Sequence, residues 1–553
     1  MLKGWEKAMD VIIVGAGLAG LVTATELLER GKRVLLLDQE GPQSLGGQAH
    51  WSFGGLFLVN TPEQRRMGIR DTFERAWKDW SFAAGFDRLD GEDFFGEQWA
   101  KAYVSFATHE KYAYLKSKGI RFFPAVGWAE RGAILKGGYG NSVPRFHITW
   151  GTGPGIVAPF KEAVLRAQKT GQLTYLPRHE VTALTMKEGR VTGVSGNVLE
   201  EDSASRGEAT NRMVKQSFQL EAEAVVIASG GIGANLQLVK ENWPARLGKP
   251  PEQMLAGVPS YVDGKLLQIA EGQGAKIVNK DRMWHYTEGI RNYAPVWQEH
   301  GIRILPGPSS IWLDGAGKKL PHPNYPGFDT LTSLEAIQQT GFDYSWFILT
   351  EQVIAKEFAL SGSEQNPDLT DKSIRLLMQR LRKGAPAPVQ RFVDEGEDFL
   401  VATSVKELAA KMNALTQTEH IDFLTLKTVL QQHDATILNK QSEDAQVSSI
   451  YKARRYVSEK LIRVAKPHAF LSPASGKLIA VRLRILTRKT LGGIQTNLKG
   501  QVIEQDGSVL EGLYAVGEAA GFGGGGVHGY RALEGTFLGG CIFTGYTVGR
   551  AIP

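Results

Sequence analysis

The 553-residue chain has a single cysteine, Cys541. One thiol excludes an internal disulfide, an iron–sulfur cluster held by this chain and a C-x-x-C-H haem attachment. It also fits a reducing compartment. Uninterrupted apolar runs long enough to cross a bilayer are missing, so no transmembrane helix is expected. The first apolar strand pattern starts near residue 10, which leaves no room for a signal peptide ahead of it. The expected location is therefore the cytoplasm. Charge of neither sign dominates: 64 Lys and Arg stand against 58 Asp and Glu. Lys/Arg blocks such as Lys452-Ala453-Arg454-Arg455 are short, lie in helical patterns and read as solvated faces, so no nucleic-acid partner is expected. No metal-ligating pattern, internal repeat or low-complexity tract appears.

Glycine is abundant, at 64 residues, and its placement carries the first functional signal. Residues 11–14 are a short apolar run suited to a strand buried on both faces. Gly15, Gly17 and Gly20 follow at the spacing G-x-G-x-x-G and open a helical pattern that Gly31 ends. Residues 33–37 form a second buried strand ending on Asp38. Gly15 allows the tight turn, Gly17 leaves the backbone bare toward a pyrophosphate, and Gly20 lets helix and strand pack closely. The helix N-terminus offers free N–H groups and partial positive charge to phosphates. Asp38 stands where a carboxylate accepts from ribose hydroxyls. This is an adenine-dinucleotide site, and the motif does not say which dinucleotide.

A chain of this length exceeds one core. After Asp38, the loop 44–55 carries glycine pairs at both ends, as backbone lying on a flat ligand requires. Residues 61–115 read as aromatic-rich helices, 133–155 as a glycine-rich stretch with Arg145 and His147, and 155–170 as an amphipathic helix. Residues 181–198 alternate as strands turning at Glu188-Gly189, a β-meander. Residues 200–216 read as a mobile polar hairpin tip, 222–227 as a buried strand. The following S-G-G-I-G lacks a third glycine and an acid-ended strand, so it is no second nicotinamide motif. From Arg291 to about Lys477 the texture changes, with amphipathic helices at 350–359, 372–382, 405–414 and 450–466. The chain closes with 512–518 ending in Gly517-Glu518, a glycine-dense loop, and a helix of small and apolar residues. This second ligand-facing surface implies that both chain ends meet around one long ligand.

In combination these motifs resemble FAD-dependent enzymes of the fumarate reductase and ketosteroid dehydrogenase group. VGAGLAG, the glycine pairs at 46–47 and 54–55, ASGG at 228–231, TLGG at 490–493 and GLYAVGEAAG at 512–521 carry the resemblance. The run GGGGVHGYRALEGTFLGGC is similar to a bacterial branch of FAD-binding dehydrogenases. The fold implied is α/β: a Rossmann-like FAD-binding domain of glutathione-reductase type, with parallel sheet and β-meander, interrupted by an α+β substrate or cap domain. Its expected boundaries are 1–283 and 477–553 for the FAD-binding parts and 284–476 for the insert. The resemblance places Gly15, Gly17, Gly20 and Asp38 on the adenosine diphosphate, and Gly46, Gly47 and Gly55 along the flavin. Gly517 and Glu518 meet the ribityl chain, and Gly535, Thr536 and Phe537 the flavin edge. Val181 and Gly230 complete the cofactor contacts. Covalent members carry a histidine where this chain has Gln48, which implies non-covalent FAD.

The group moves a hydride between flavin N5 and a carbon beside a carbonyl-activated one. Against the fumarate reductase pattern, Lys489 replaces a histidine and Arg531 is one residue out of register. No arginine lies between Arg303 and Arg375 to act as the proton donor. Against the ketosteroid Δ1-dehydrogenase pattern, Gly535 is retained and Arg531 replaces a tyrosine, with Tyr530 beside it. The expectation is a dehydrogenase or reductase acting on an apolar ketone or enone, with an external electron acceptor. Arg531 or Lys489 would hold the carbonyl oxygen and Tyr530 or His528 would handle the proton. His528 and Glu534 have the blander alternative of orienting their loop, and most of the aromatics at 77–86 and 284–286 that of core. A fumarate-reductase-like enzyme, a flavin electron carrier and an NAD-linked dehydrogenase remain the alternatives.

Overall fold

The structure, a computed structural model, describes residues 9–132, 140–380 and 384–553. Met9–Val14 and Val34–Leu37 are adjacent parallel strands, and Val11, Ile12 and Ile13 are wholly buried. Their lack of polar alternation follows from burial on both faces. The sheet order runs Gln501–Ile503, Val509–Ala515, Val214–Ile227, Met9–Val14, Val34–Leu37, Leu173–Leu176. All neighbours are parallel except the first hairpin.

One face packs Val11 and Ile13 against the helices Leu18–Glu29, Thr152–Lys169 and Thr536–Ala551. The other packs Ile12 and Val14 against the meander His179–Lys187 and Arg190–Leu199 and the helix Lys265–Gly272. The meander turns at Glu188 and Gly189, whose φ angles of 52° and 77° suit the tight hairpin turn. Val214–Ile227 is longer than the 222–227 read from sequence. Its first half pairs with the meander and leaves most side chains in solvent, so it lacks a continuous apolar signal.

A second sheet is built on the long strand Leu478–Thr490, with Met283–Arg291, Tyr344–Thr350 and Phe399–Ala402 antiparallel to it and Leu255–Ala256 parallel. It thus draws on residues both before 284 and after 476. Its core includes Trp312, Trp346, Phe347 and Val481 under the helices Val405–Thr416 and Phe423–Ile437. The stretch 450–466 is two helices, Ala445–Ala453 and Val457–Ile462. At the break, Glu459 pairs with the buried Arg131 at 2.9 Å and Tyr456 packs edge-on against Trp128. Of the helix read at 372–382, Ile374–Gln379 is observed; 381–383 lie outside the described residues, as do 133–139 of the glycine-rich stretch. Among the described residues no helix is long and apolar enough to cross a membrane, and no group of His, Cys, Asp and Glu side chains gathers as a metal site.

The first and last helices pack directly. A Cβ on Gly545 would stand 2.8 Å from the Ala19 carbonyl oxygen, so only glycine permits this approach. Arg550 Nε pairs with Glu26 at 2.7 Å across the same contact. The sequence's two ends are thereby joined.

Five buried histidines, His147, His285, His300, His433 and His528, are held neutral by desolvation, with pKa values lowered from 6.5 to about 3–4. His285 stacks on Trp243, and neither ring nitrogen has a hydrogen-bond partner. Because the folded pKa lies below the unfolded one, this contribution is complete above pH 6.5 and is lost as pH falls toward 3. The slope is ~1.4 kcal/mol per pH unit for each histidine. His285→Leu should flatten urea-derived stability between pH 6 and pH 4 by one such increment and leave or raise stability at pH 7. An unchanged slope would show that His285 is not buried neutral.

Candidate active site

A cavity of about 1600 Å³, open mouth included, runs from the first glycine turn to the start of the last helix. At the turn, Gly15 has φ +110°, and a Cβ there would meet the Ala228 carbonyl oxygen at 2.4 Å. A Cβ on Gly20 would lie 2.0 Å from the Gly15 oxygen, which is the close helix–strand packing. Gly17 differs: nothing lies within 4 Å of its Cβ position, so its backbone opens onto the cavity. The Asp38 carboxylate accepts from the backbone N–H of Ala16 (2.7 Å) and of Glu40 (2.8 Å). Burial outweighs these bonds and pushes its pKa up to about 6.

In the middle of the wall, Gly46 bridges to Gly17 and Gly47 crosses above it. Gln48 Nε2 donates to Glu518 Oε2 at 2.6 Å, the Thr490 N–H donates to Glu518 Oε1 at 2.9 Å, and Lys489 Nζ donates to Gln48 Oε1. Lys489 Nζ also lies 3.6 Å from Glu518, while burial lowers its pKa. This network ties the loop after the second strand to the C-terminal Gly-Glu turn.

At the far wall, the start of the last helix enters through Gly535, whose φ is +87° and whose carbonyl accepts from the Phe57 N–H at 2.9 Å. Phe53, Phe146, Phe522, Phe537 and Leu305 make this end apolar. Arg303, on the strand Gly301–Leu305, is the buried cation there. Its guanidinium pairs with Glu534 at 2.7 Å, lies 3.5 Å from both Glu130 and Glu288, and covers the Tyr286 ring at 3.7 Å. Three carboxylates around one guanidinium cannot all be ionised at low cost. Desolvation, aided by Asp329 and Glu534, raises the Glu130 pKa well above the usual carboxylate range, and desolvation raises that of Glu288. Desolvation also raises the Tyr286 pKa, which keeps the phenol protonated.

Most cofactor residues read from sequence lie on this cavity: Gly15, Gly17, Asp38, Gly47, Gly55 and Val181, then Gly230, Glu518, Gly535 and Phe537. Gly20, Gly46, Gly517 and Thr536 pack behind it. A Cβ on Gly46 would strike Val157 and one on Gly517 would strike Ala19, while the Thr536 hydroxyl is taken by His528 and the Leu533 carbonyl. Of the four catalytic candidates, only Lys489 is on the wall. His528 is buried, with Nε2 2.9 Å from the Thr536 hydroxyl and its ring stacked on Trp80. The Tyr530 hydroxyl donates to Asp87 at 3.0 Å and Arg282 lies over its ring; Arg531 Nε pairs with Asp329 at 3.2 Å. Their turn is pinned to the helix Phe73–Ala84, where the Tyr530 N–H donates to the Ala84 carbonyl, and this points the two side chains away from the cavity. Sequence reasoning passed over Arg303, Arg488 and, as an active group, Glu534. All three line the cavity. The one sequence signal was Glu534 standing next to Gly535.

The family described as FAD binding domain matches residues 10–538. The chain belongs to this FAD-binding family. A KsdD-like steroid dehydrogenase of Mycobacterium tuberculosis is 56% identical over 542 residues, covering 98% of this chain and 95% of that protein. Two solved structures show the same fold. The 3-ketosteroid Δ1-dehydrogenase of Sterolibacterium denitrificans has a TM-score of 0.68 at 16% identity, covering 98% of this chain and 99% of that one. The 3-ketosteroid Δ4-(5α)-dehydrogenase of Rhodococcus jostii RHA1 has a TM-score of 0.64 at 18% identity, covering 100% and 98%.

The residues of this flavoprotein fit FAD on their own account. The hydroxyls of Ser52, Ser229 and Tyr261 line the cavity, are buried and lack partners, as polar groups awaiting a ligand do. The backbone at Gly17 is bare toward the same space. Gly535→Ala, whose Cβ would stand 2.6 Å from the Phe57 nitrogen at a left-handed φ, should displace the last helix from the flavin. A shifted flavin absorption band and FAD binding weakened ~10-fold or more are expected, read by absorbance and equilibrium dialysis. An unaltered spectrum and affinity would separate Gly535 from the flavin.

Proposed function

We propose that this flavoprotein is a dehydrogenase or reductase of a steroid-like ketone, acting on a C–C bond beside the carbonyl. The observation that carries it is Arg303: a buried guanidinium, fixed by Glu534 and Tyr286, on the wall of a cavity end lined by Phe53, Phe146, Phe537 and Leu305. Bound FAD supplies the two-electron chemistry, exchanging a hydride with the substrate carbon. Arg303 holds the carbonyl oxygen with planar, permanently charged donors and stabilises the enolate charge that develops there. Tyr286, whose phenol stays protonated, donates the proton at the carbon next to the carbonyl in the reductive direction. Glu534 is the positioning residue, since it fixes one Nη of Arg303. Phe146, Phe537 and Leu305 exclude water and accept a flat apolar skeleton. The name of the 56% identical relative supports the same substrate class.

FAD is held without a covalent bond in this proposal, because both ends of the Gln48 amide are occupied and an amide is no nucleophile. An external acceptor or donor completes the cycle.

Anaerobic mixing of the oxidised protein with saturated and unsaturated 3-ketosteroids should bleach the flavin with at least one of them. Arg303→Met should slow bleaching ~10²–10³-fold and Tyr286→Phe ~10²-fold. Tyr530→Phe, which lies off the cavity, should react at the wild-type rate. Full activity in Arg303→Met would overturn the assignment. Reoxidation of the reduced flavin by fumarate but by no enone would establish a carboxylate substrate instead, with Arg488 and Lys489 as its clamp.

A further inference from the structure

We propose that Arg206 is the counter-charge for the FAD diphosphate, delivered by a strap outside the glycine motif; this rests on the cavity being the FAD site. The segment 200–213 joins the strands Arg190–Leu199 and Val214–Ile227. It is the connection of an antiparallel strand pair, as expected, and it is tied against the loop 43–51 that borders the first glycine turn. The Asp202 carboxylate accepts from the Ala204 N–H at 2.7 Å and the Asn211 N–H at 2.6 Å, closing the segment on itself. Arg178 donates to the carbonyls of Glu200 (2.9 Å) and Asn211 (2.7 Å). Gln43 Nε2 donates to the Ala204 carbonyl at 2.9 Å, and Gly207 sits so close on Trp51 that a Cβ would stand 2.7 Å from the indole.

This tethering drives Arg206 inward. Its Nη2 donates to the Leu45 carbonyl at 3.2 Å, one residue before Gly46, which bridges to Gly17. Its Nη1 is buried and has no partner, and among the described residues no carboxylate forms an ion pair with it. The nearby carboxylates are already engaged: Glu40 by Arg212 and the Thr210 hydroxyl, Asp38 by the N–H groups of Ala16 and Glu40. The hydroxyls of Tyr175 and Tyr261, close enough to Arg206 to interact electrostatically, are also buried without partners. Trp51 Nε1 faces Tyr261 without hydrogen-bond geometry. A half-buried guanidinium whose inner Nη1 has no partner is costly, and here burial lowers its pKa. A diphosphate lying on the bare backbone of Gly17 supplies the missing charge, with a fork geometry that arginine matches.

The test compares wild type, Arg206→Met and Arg206→Lys as holoenzymes and, after flavin removal, as apoproteins. Flavin fluorescence after dilution should show FAD leaving Arg206→Met at least ~10-fold faster than wild type and Arg206→Lys at an intermediate rate. Apo Arg206→Met should melt at or above the wild-type temperature, because an unpaired buried charge is gone. Wild-type apoprotein should prefer ADP to adenosine in calorimetric titration, and Arg206→Met should lose that preference ~10-fold. Unchanged FAD release, a retained ADP preference, or an apoprotein destabilised by the methionine would each overturn the proposal, the last by showing a structural staple. Wild-type protein that binds no FAD would instead sink the cofactor assignment itself.

Discussion

The contact between the first helix, Leu18–Glu29, and the last, Thr536–Ala551, is the constraint on which the rest depends. Gly545 and Gly549 let the two backbones approach, and Arg550 to Glu26 fixes their register. Glycine-mediated closeness is unforgiving, since any side chain there must push whole helices apart. With the helices locked, the N-termini of the first and the last open onto the same cavity. A chain whose two halves of a site lie some five hundred residues apart thereby makes one continuous groove.

Charge placement in that groove follows a second rule: each buried ion is held by groups from a different part of the fold. Arg303 comes from the second sheet, Glu534 from the C-terminal turn and Glu130 from the segment before the long first amphipathic helix. A guanidinium surrounded in this way is oriented before any ligand arrives, which is what the proposed carbonyl-holding role requires. The Gln48, Lys489 and Glu518 network does the same between the two FAD-facing loops. Arg488, on the cavity wall, and Arg206, beside the Leu45 carbonyl, form no carboxylate ion pair among the described residues.

The dinucleotide half was legible because its chemistry is local. Gly15, Gly17 and Asp38, read from spacing, lie on the cavity and Gly20 packs behind it, and spacing survives in a sequence. The catalytic end was not, because it is assembled from long-range contacts. Arg531 and Tyr530 sit beside Gly535 in the chain, yet the turn holding Tyr530 to Ala84 sends them outward. Arg303 carries no motif; it is brought to the cavity wall by the pairing of its strand with Met283–Arg291 and by its ion pair with Glu534. The tethering of the strap 200–213 was hidden for a related reason. Its polar composition reads as solvent-facing, whereas its polar groups are spent on Asp202, Arg178 and Gln43 contacts that sequence distance hides.

The measurement that bears most directly on this account is a crystal structure of the oxidised flavoprotein with a 3-ketosteroid bound. The account predicts FAD with its ribose at Asp38, its diphosphate between Gly17 and Arg206, and the ring system against Gly55 and Gly535. The steroid's carbonyl oxygen then lies within hydrogen-bond distance of the Arg303 guanidinium. A carbonyl oxygen held instead by Arg531 or Tyr530, with Arg303 remote from the ligand, would contradict it.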